Sequence, residues 1–380
     1  MKYFKSNYYF IGFLVTIFLL ISFLVYQQIY SGTYESDTEE HIIILYKYFY
    51  GAEPYYIAHP LWHYGVIITS WIFHISIEYA AILFSAIIVT SWVFLVYYTV
   101  RMQLVFSSLY MPVIITFLII MIGPLCIPWY NKIIYLGQGS PNIWHNVTLW
   151  AVKPFAIMSI LFMFKAIYSK NNLYYFLTII TVVISLFAKP SFVIMFLPSL
   201  TIFVLVKKLY DRQFLIFYML LVLMSVVVLF YQFLYTFHTG DSKVFIDLLG
   251  VWSRSSQNIS ISIVLALAFP LLFLLLESKI IHDDYILFSW IQIIIGIFYY
   301  AVFAQTGKYY LHGNFGWSYV LAMSILYLFS IIKFFQMYND IQKFKKYVLL
   351  LLLFMQVFIG FYYFIKILEG QNPMYIAIFL

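Results

Sequence analysis

Long apolar runs broken by short polar segments set the pattern of this chain. A helix crosses a bilayer with about 20 mostly apolar residues. Runs of that kind occupy 9–27, 79–100, 108–127, 150–168, 173–188, 191–206, 214–236, 257–276, 285–304, 317–336 and 346–367. The pattern predicts an all-α polytopic membrane protein with about 11 transmembrane helices, forming a single integral-membrane domain over 1–380. The first run follows Lys2 and Lys5 as a signal peptide would. Its tail, FLVYQQIYSGTYE, carries no A-x-A-like cleavage site, so it reads as a retained span.

The run 61–77 is apolar, but it is short and contains His63 and His74. Charge decides its placement. If it does not cross, the segments 1–8, 101–107, 169–172, 207–213, 277–284 and 337–345 share one side. With the flanking span ends, that side holds thirteen of the 21 basic residues. Cytoplasmic loops collect Lys and Arg, so this side is the inner one. A crossing at 61–77 would turn the clusters at 207–213 and 337–345 outward. The run therefore reads as a helix lying at the outer interface. The outer loops are then 28–78, 128–149, 237–256 and 305–316, and the first of them carries six of the fourteen acidic residues.

Composition narrows the function classes. Hydrophobic residues make up 65% and charged residues 9% of the chain, where a soluble domain carries about 25% charged residues. Soluble enzymes, nucleic-acid binders and disordered scaffolds are excluded. The net charge of +7 does not change this, because the basic residues form no dense patch. The single cysteine, Cys126, permits no internal disulfide. No P-loop or dinucleotide-binding glycine pattern is present in the sequence, so nothing points to ATP-driven transport.

Four outer segments carry candidate chemistry. Glu35-Ser36-Asp37-Thr38-Glu39-Glu40-His41 crowds four carboxylates and a histidine just after the first run, ahead of an amphipathic helix expected over 41–50. Carboxylates crowded beside lipid acquire a raised pKa that suits a general base; a solvated acidic loop is the plainer alternative. Ser140-Pro141-Asn142-Ile143-Trp144-His145-Asn146 places an interfacial Trp beside two polar groups, and Asn146-Val-Thr and Asn258-Ile-Ser are short glycosylation sequons. Lys153, Lys189, Arg254, Lys308 and His312 are outer-face cations suited to a lipid phosphate, or else snorkelling to the interface. His312-Gly313-Asn314 opens a span, where it contacts substrate or simply turns the chain. His59, His63 and His145 with the acidic cluster make a divalent cation the one candidate cofactor, at a spacing that matches no recognised ligand pattern.

This layout resembles the GT-C superfamily of integral-membrane glycosyltransferases, which take sugar from polyprenyl-phosphate donors. The likeness rests on Ser36-Asp37-Thr38-Glu39-Glu40-His41 soon after the first span, on His59-Pro60-Leu61-Trp62-His63-Tyr64 leading into 61–77, and on Pro141-Asn142-Ile143-Trp144-His145-Asn146 in the second outer loop. It covers roughly the first 170 residues; beyond them only the series of spans matches. The resemblance implies a catalytic acidic residue in the first outer loop, with membrane-surface helices after it. On that basis Asp37 is the expected general base, with Glu40 and His41 beside it. Glu35, Glu39, His59, His63, Trp144, His145, Asn146, Lys153, Lys189, Arg254, Lys308, His312 and Asn314 are expected to bind substrate, with Trp62 and Trp144 stacking on sugar rings.

The expected activity is sugar transfer, with inversion, from a polyprenyl-phosphate donor to a cell-envelope glycan or lipid-linked acceptor. It would take place at the outer face of a bacterial cytoplasmic membrane, where the partners are the donor, the acceptor and the bilayer, with no nucleic acid. The rival readings are an O-antigen or capsule-type polymerase and a lipid-linked sugar flippase or transporter. Arg254 is the one arginine on the outer side, which counts against the polymerase, whose outer loops tend to be rich in Arg. No Asp or Glu sits mid-span, which counts against the transporter.

Overall fold

The computed structural model describes residues 2–31, 36–51, 57, 59–104, 108, 110–127, 133–237 and 243–371, with backbone alone for 2–7, 237 and 308. In chain order the helices are α1 (Lys2–Tyr30), α2 (Asp37–Tyr50), α3 (Leu61–Phe73), α4 (Ile77–Gln103), α5 (Met111–Met121), α6 (Val147–Ser169), α7 (Asn172–Ala188), α8 (Ser191–Lys207), α9 (Arg212–Phe237), α10 (Gly250–Ser255), α11 (Ile259–Ala266), α12 (Ala268–Leu276), α13 (Asp284–Val302), α14 (Gly316–Gln336) and α15 (Lys343–Leu368). Two short strands, β1 (Val244–Ile246) and β2 (Phe303–Gln305), pair antiparallel. Among the described residues, seven helices are long and apolar enough to cross a membrane, or eight if the bent pair α11–α12 is one span. The protein is an all-α, multi-pass membrane protein.

The helices run between two ends of one bundle. α1 and α4 lie antiparallel. Phe10 stacks on Tyr97 with ring centroids 3.6 Å apart, and at their other ends Tyr46 of α2 donates to Glu78 at 2.5 Å. The chain thus leaves α1 and enters α4 at the same end, so α2 and α3 do not cross between them. α3 rises only about 20 Å. It doubles back against α4 through a left-handed His74 (φ 52°), with Trp62 Nε1 donating to Ser85 Oγ at 3.0 Å.

The opposite end is tied by ion pairs. Lys207 meets Asp284 at 2.5 Å, Lys333 meets Asp283 at 2.8 Å and Lys345 meets Glu277 at 2.9 Å. Tyr168 donates to Asp284 at 2.7 Å, and Gln213 donates to the Lys170 carbonyl at 2.9 Å. Partly exposed pairs of this kind contribute at most about 1 kcal/mol each. Their main content is geometric, because they gather the segments 169–172, 207–213, 277–284 and 337–345 into one layer.

Two expected spans are altered. In 108–127 the helix stops at Met121 before an extended Ile122, and 122–127 is not helical, because Pro124 disfavours helix in the residue before it. Gly123 packs there against Gly360, whose Cα lies 2.7 Å from where a Gly123 Cβ would stand. The run 257–276 bends by 74° between α11 and α12. Pro270 has no N–H to give the Ala266 carbonyl, and the Tyr327 hydroxyl takes that carbonyl at 2.7 Å. The Phe269 N–H, whose usual partner Leu265 already accepts from Leu125, donates to Gln356 Oε1 at 3.1 Å.

Between α5 and α6 the chain re-enters the bundle. A one-turn π-helix, Ile134–Gln138, and the residues after it to Asn146 are buried. Irregular backbone at membrane depth survives only inside protein and with its polar groups bonded. Here Tyr300 donates to the Leu136 carbonyl at 2.7 Å, Trp252 donates to that of Gly137 at 2.8 Å, and Gln138 donates to that of Leu125. This floor carries the residues described next.

Candidate functional site

Ser36 caps α2, its hydroxyl accepting from the Glu39 N–H at 3.3 Å. Acidic residues suit this first turn because the N-terminal end of a helix is partially positive. The turn is pinned by Gln28 of α1, which accepts from Thr38 Oγ1 at 2.5 Å and donates to the Trp144 carbonyl at 2.7 Å. Asp37 therefore faces the 144–146 segment, while Glu39 and Glu40 are exposed. Of the described carboxylates in the acidic run, only Asp37 enters the cluster. Glu35 lies outside the described residues.

Asn146 caps α6. Its Oδ1 accepts from the Leu149 N–H at 2.7 Å and from Thr148 Oγ1 at 3.0 Å, and its Nδ2 donates to Asp37 Oδ2 at 2.5 Å. It is 4% exposed, and both its amide nitrogen and its amide oxygen are hydrogen-bonded, so it is not open to a glycan. Lys189 sits at the corner between α7 and α8. The following Pro190 holds it extended (φ −165°, ψ 114°) and ends α7 there. The Lys189 ammonium donates to Thr148 Oγ1 at 3.0 Å and lies 4.7 Å from the centre of the Trp317 ring.

Four histidines border this group. His41 Nδ1 and His63 Nε2 are 3.1 Å apart, and the His41 and His59 rings are 6.3 Å apart. His145 is buried against Tyr135, with ring centroids 4.6 Å apart, and its Nδ1 is 3.4 Å from the Tyr363 hydroxyl. Burial lifts the Asp37 carboxyl above the usual carboxylate range; the Lys189 charge, the Asn146 hydrogen bond and His312 pull it part of the way back. Burial holds His41 well below its ordinary value, with His63, His59 and Lys189 adding to the effect. It brings His63 to about 4 and, with Lys189 assisting, His145 to about 3. Lys189 falls to about 8 through burial, opposed by Asp37. At neutral pH the Lys189 ammonium is retained and the imidazoles are neutral.

No family model, curated protein or solved structure matches this chain.

Several expected contacts lie elsewhere. Lys153 is 3% exposed and turned inward. It donates to Asn142 Oδ1 at 2.8 Å and to the Pro141 carbonyl at 3.3 Å, with its ammonium 4.2 Å from the centre of the Trp92 ring. It braces the re-entrant floor. Trp144 is 2% exposed, packed against Trp92 and Phe364, and Trp62 is fully buried, so neither presents a face for a sugar. Arg254 is exposed and pairs with Tyr310, which itself donates to Asp247 at 2.6 Å. Asn314 donates to Gln305 at 2.5 Å. His312 is exposed at the rim, within electrostatic reach of Asp37. The side chain of Lys308 lies outside the described residues. Among the described residues no group of three or more His, Cys, Asp or Glu is arranged to hold a metal ion.

Sequence reasoning missed Gln28, Thr148, Tyr135 and Trp317. The only local signals were the capping patterns Ser36-x-x-Glu39 and Asn146-x-x-Leu149, which fix the helix starts and with them the direction of Asp37 and Thr148.

Proposed function

We propose that this protein is a membrane glycosyltransferase of GT-C type, moving a sugar from a polyprenyl-phosphate donor to a cell-envelope glycan or lipid-linked acceptor. The observation that carries the reading is the meeting of Asp37 and Lys189, brought from separate segments to one end of an apolar bundle and joined through Asn146 and Thr148. A carboxylate and a cation so arranged suit an acceptor hydroxyl on one side and a departing phosphate on the other.

In this mechanism Asp37 takes the proton of the acceptor hydroxyl. The hydroxyl oxygen attacks the anomeric carbon from the face opposite the phosphate. The bond from that carbon to the phosphate oxygen breaks, its electron pair leaves with the phosphate, and the Lys189 ammonium stabilises the charge. The configuration inverts. His41, His63 and His145, neutral at pH 7, orient sugar or acceptor hydroxyls.

Eleven passages fit the two-ended contact pattern. α5, α7, α8 and the bent α11–α12 pair would complete the series begun by the seven long helices, a 17-residue helix rising about 25 Å. Lys and Arg collect at the end opposite Asp37, so the site would face outward from a bacterial cytoplasmic membrane. The transporter reading gains nothing from the broken α11–α12 span. A break that binds a travelling ion leaves carbonyls free, and here Tyr327 takes the Ala266 carbonyl and Gln356 takes the Phe269 N–H.

The test is transfer by purified protein in nanodiscs from a panel of radiolabelled polyprenyl-phosphate sugars to membrane-derived acceptor. Wild type is expected to transfer, and Asp37→Asn to lose at least about 100-fold. Full activity in a folded Asp37→Asn would remove Asp37 from the mechanism. Elongation of pyrophosphate-linked oligosaccharides alone would identify a polymerase.

A further inference from the structure

The contacts that join Asp37 to Lys189 share a direction. Lys189 Nζ donates to Thr148 Oγ1, the Thr148 hydroxyl donates to Asn146 Oδ1, and Asn146 Nδ2 donates to Asp37 Oδ2. Each donor points from the cation toward the anion. Bonds aligned head to tail polarise and strengthen one another. The Asn146 amide cannot be turned over. A flip would set its NH2 against the Leu149 N–H and its oxygen against the carboxylate. Thr148 is fully buried, so no bulk water can replace its hydroxyl. It is also the one member that touches neither the carboxylate nor the outside.

We propose that Thr148 is a positioning residue, the joint of a one-way relay that fixes the Lys189 ammonium and, through Asn146, the Asp37 carboxylate as a preset unit before any ligand binds. Its catalytic meaning rests on the glycosyl-transfer reading; its existence does not. Without Thr148, Lys189 loses the one side-chain oxygen it donates to among the described residues and keeps the Trp317 face. The charged form of Lys189 is then less favoured. Asp37, His41, His59 and His145 are the titratable groups whose charges couple with that of Lys189. All four remain when Thr148 is changed.

The experiment measures the ionisation of Lys189 in the full chain, purified in nanodiscs. Formaldehyde with a reductant methylates unprotonated lysine, and mass mapping follows Lys189 across pH. The midpoint, rather than the rate, reports ionisation, so limited access to a side chain in a residue 7% exposed cancels. Thr148→Val keeps the shape and removes the hydroxyl. Its midpoint should fall by about one unit, a tenfold change in the ratio of protonated to unprotonated Lys189 at a given pH. Thr148→Ser restores the hydroxyl and should return to the wild-type midpoint. Thr148→Ala, smaller than the native side chain, takes the place of valine if that variant does not give a monodisperse folded protein. An unmoved midpoint in Thr148→Val or Thr148→Ala would overturn the relay, as would a Thr148→Ser midpoint displaced as far as that of valine. In the transfer assay, loss of the relay in Thr148→Val lowers kcat at nearly unchanged KM, with recovery in Thr148→Ser. If wild type transfers no sugar but the midpoints move as stated, the relay stands and the glycosyltransferase reading falls.

Discussion

At the residue scale, burial decides which groups can act. His63 and His145 are 1% and 3% exposed and are held neutral, at about 4 and about 3 against 6.5 for the free side chain. As pH falls below 6.5 the unfolded chain takes up these protons first, so the fold loses stability. The loss amounts to about 1.4 kcal/mol per pH unit for each histidine, down to its folded value. Asp37 works in the opposite sense, because burial raises its pKa and its protonation favours the fold on acidification, but it is one group against four lowered histidines, His41, His59, His63 and His145. Between pH 6.5 and 5 the histidines therefore dominate. Melting in detergent should drop steadily across that interval, and His63→Gln should shallow the slope; a flat melting temperature from pH 7 to pH 5 would contradict the account. The acidic run and the His-Pro-Leu-Trp-His segment were legible as chemistry in the sequence. Which carboxylate turns inward was not, because Gln28 decides it by a bond to the Trp144 carbonyl more than a hundred positions away. Lys153 misled for the same reason, since its partners Pro141 and Asn142 belong to a floor that apolar periodicity does not reveal.

At the element scale, hydropathy located the apolar runs but could not see where backbone bonds change partners. Pro124 and Pro270 were visible, yet the helix end at Met121 and the 74° bend depend on what replaces the missing bonds. Gln356 of α15 is the common supplier. It accepts from the Phe269 N–H at 3.1 Å and donates to the Tyr327 hydroxyl at 2.7 Å and the Gly123 carbonyl at 3.2 Å. Each buried polar group left alone costs about 1–3 kcal/mol. Gln356→Leu, similar in length and apolar, should thus destabilise the protein by about 2 kcal/mol or more in reversible unfolding from mixed micelles. No measurable loss would mean that water reaches the break. Loop charges on either side of 61–77 favoured one parity beforehand, and the antiparallel lie of α1 and α4 accords with it.

At the scale of the whole molecule, the two ends differ in kind. One is laced by Lys–Asp and Lys–Glu pairs between short connections; the other holds the long segments, the buried floor and the Asp37 cluster. In a chain whose one native cysteine is replaced, Gly51→Cys and Gln257→Cys should react with an impermeant maleimide added to intact cells. Lys208→Cys and Asp340→Cys should react only after permeabilisation, all four positions being exposed. The reverse pattern would invert the orientation and remove the site from the outer face. The Gln356 hub has a further implication for biogenesis. The Gly123 carbonyl and its partner amide are 233 positions apart. At about 5–20 residues per second the ribosome needs roughly 10 to 50 s to deliver one after the other. Throughout that interval the end of α5 carries this bond unmade, so the nascent protein depends on whatever shields half-built membrane domains until α15 arrives to close it.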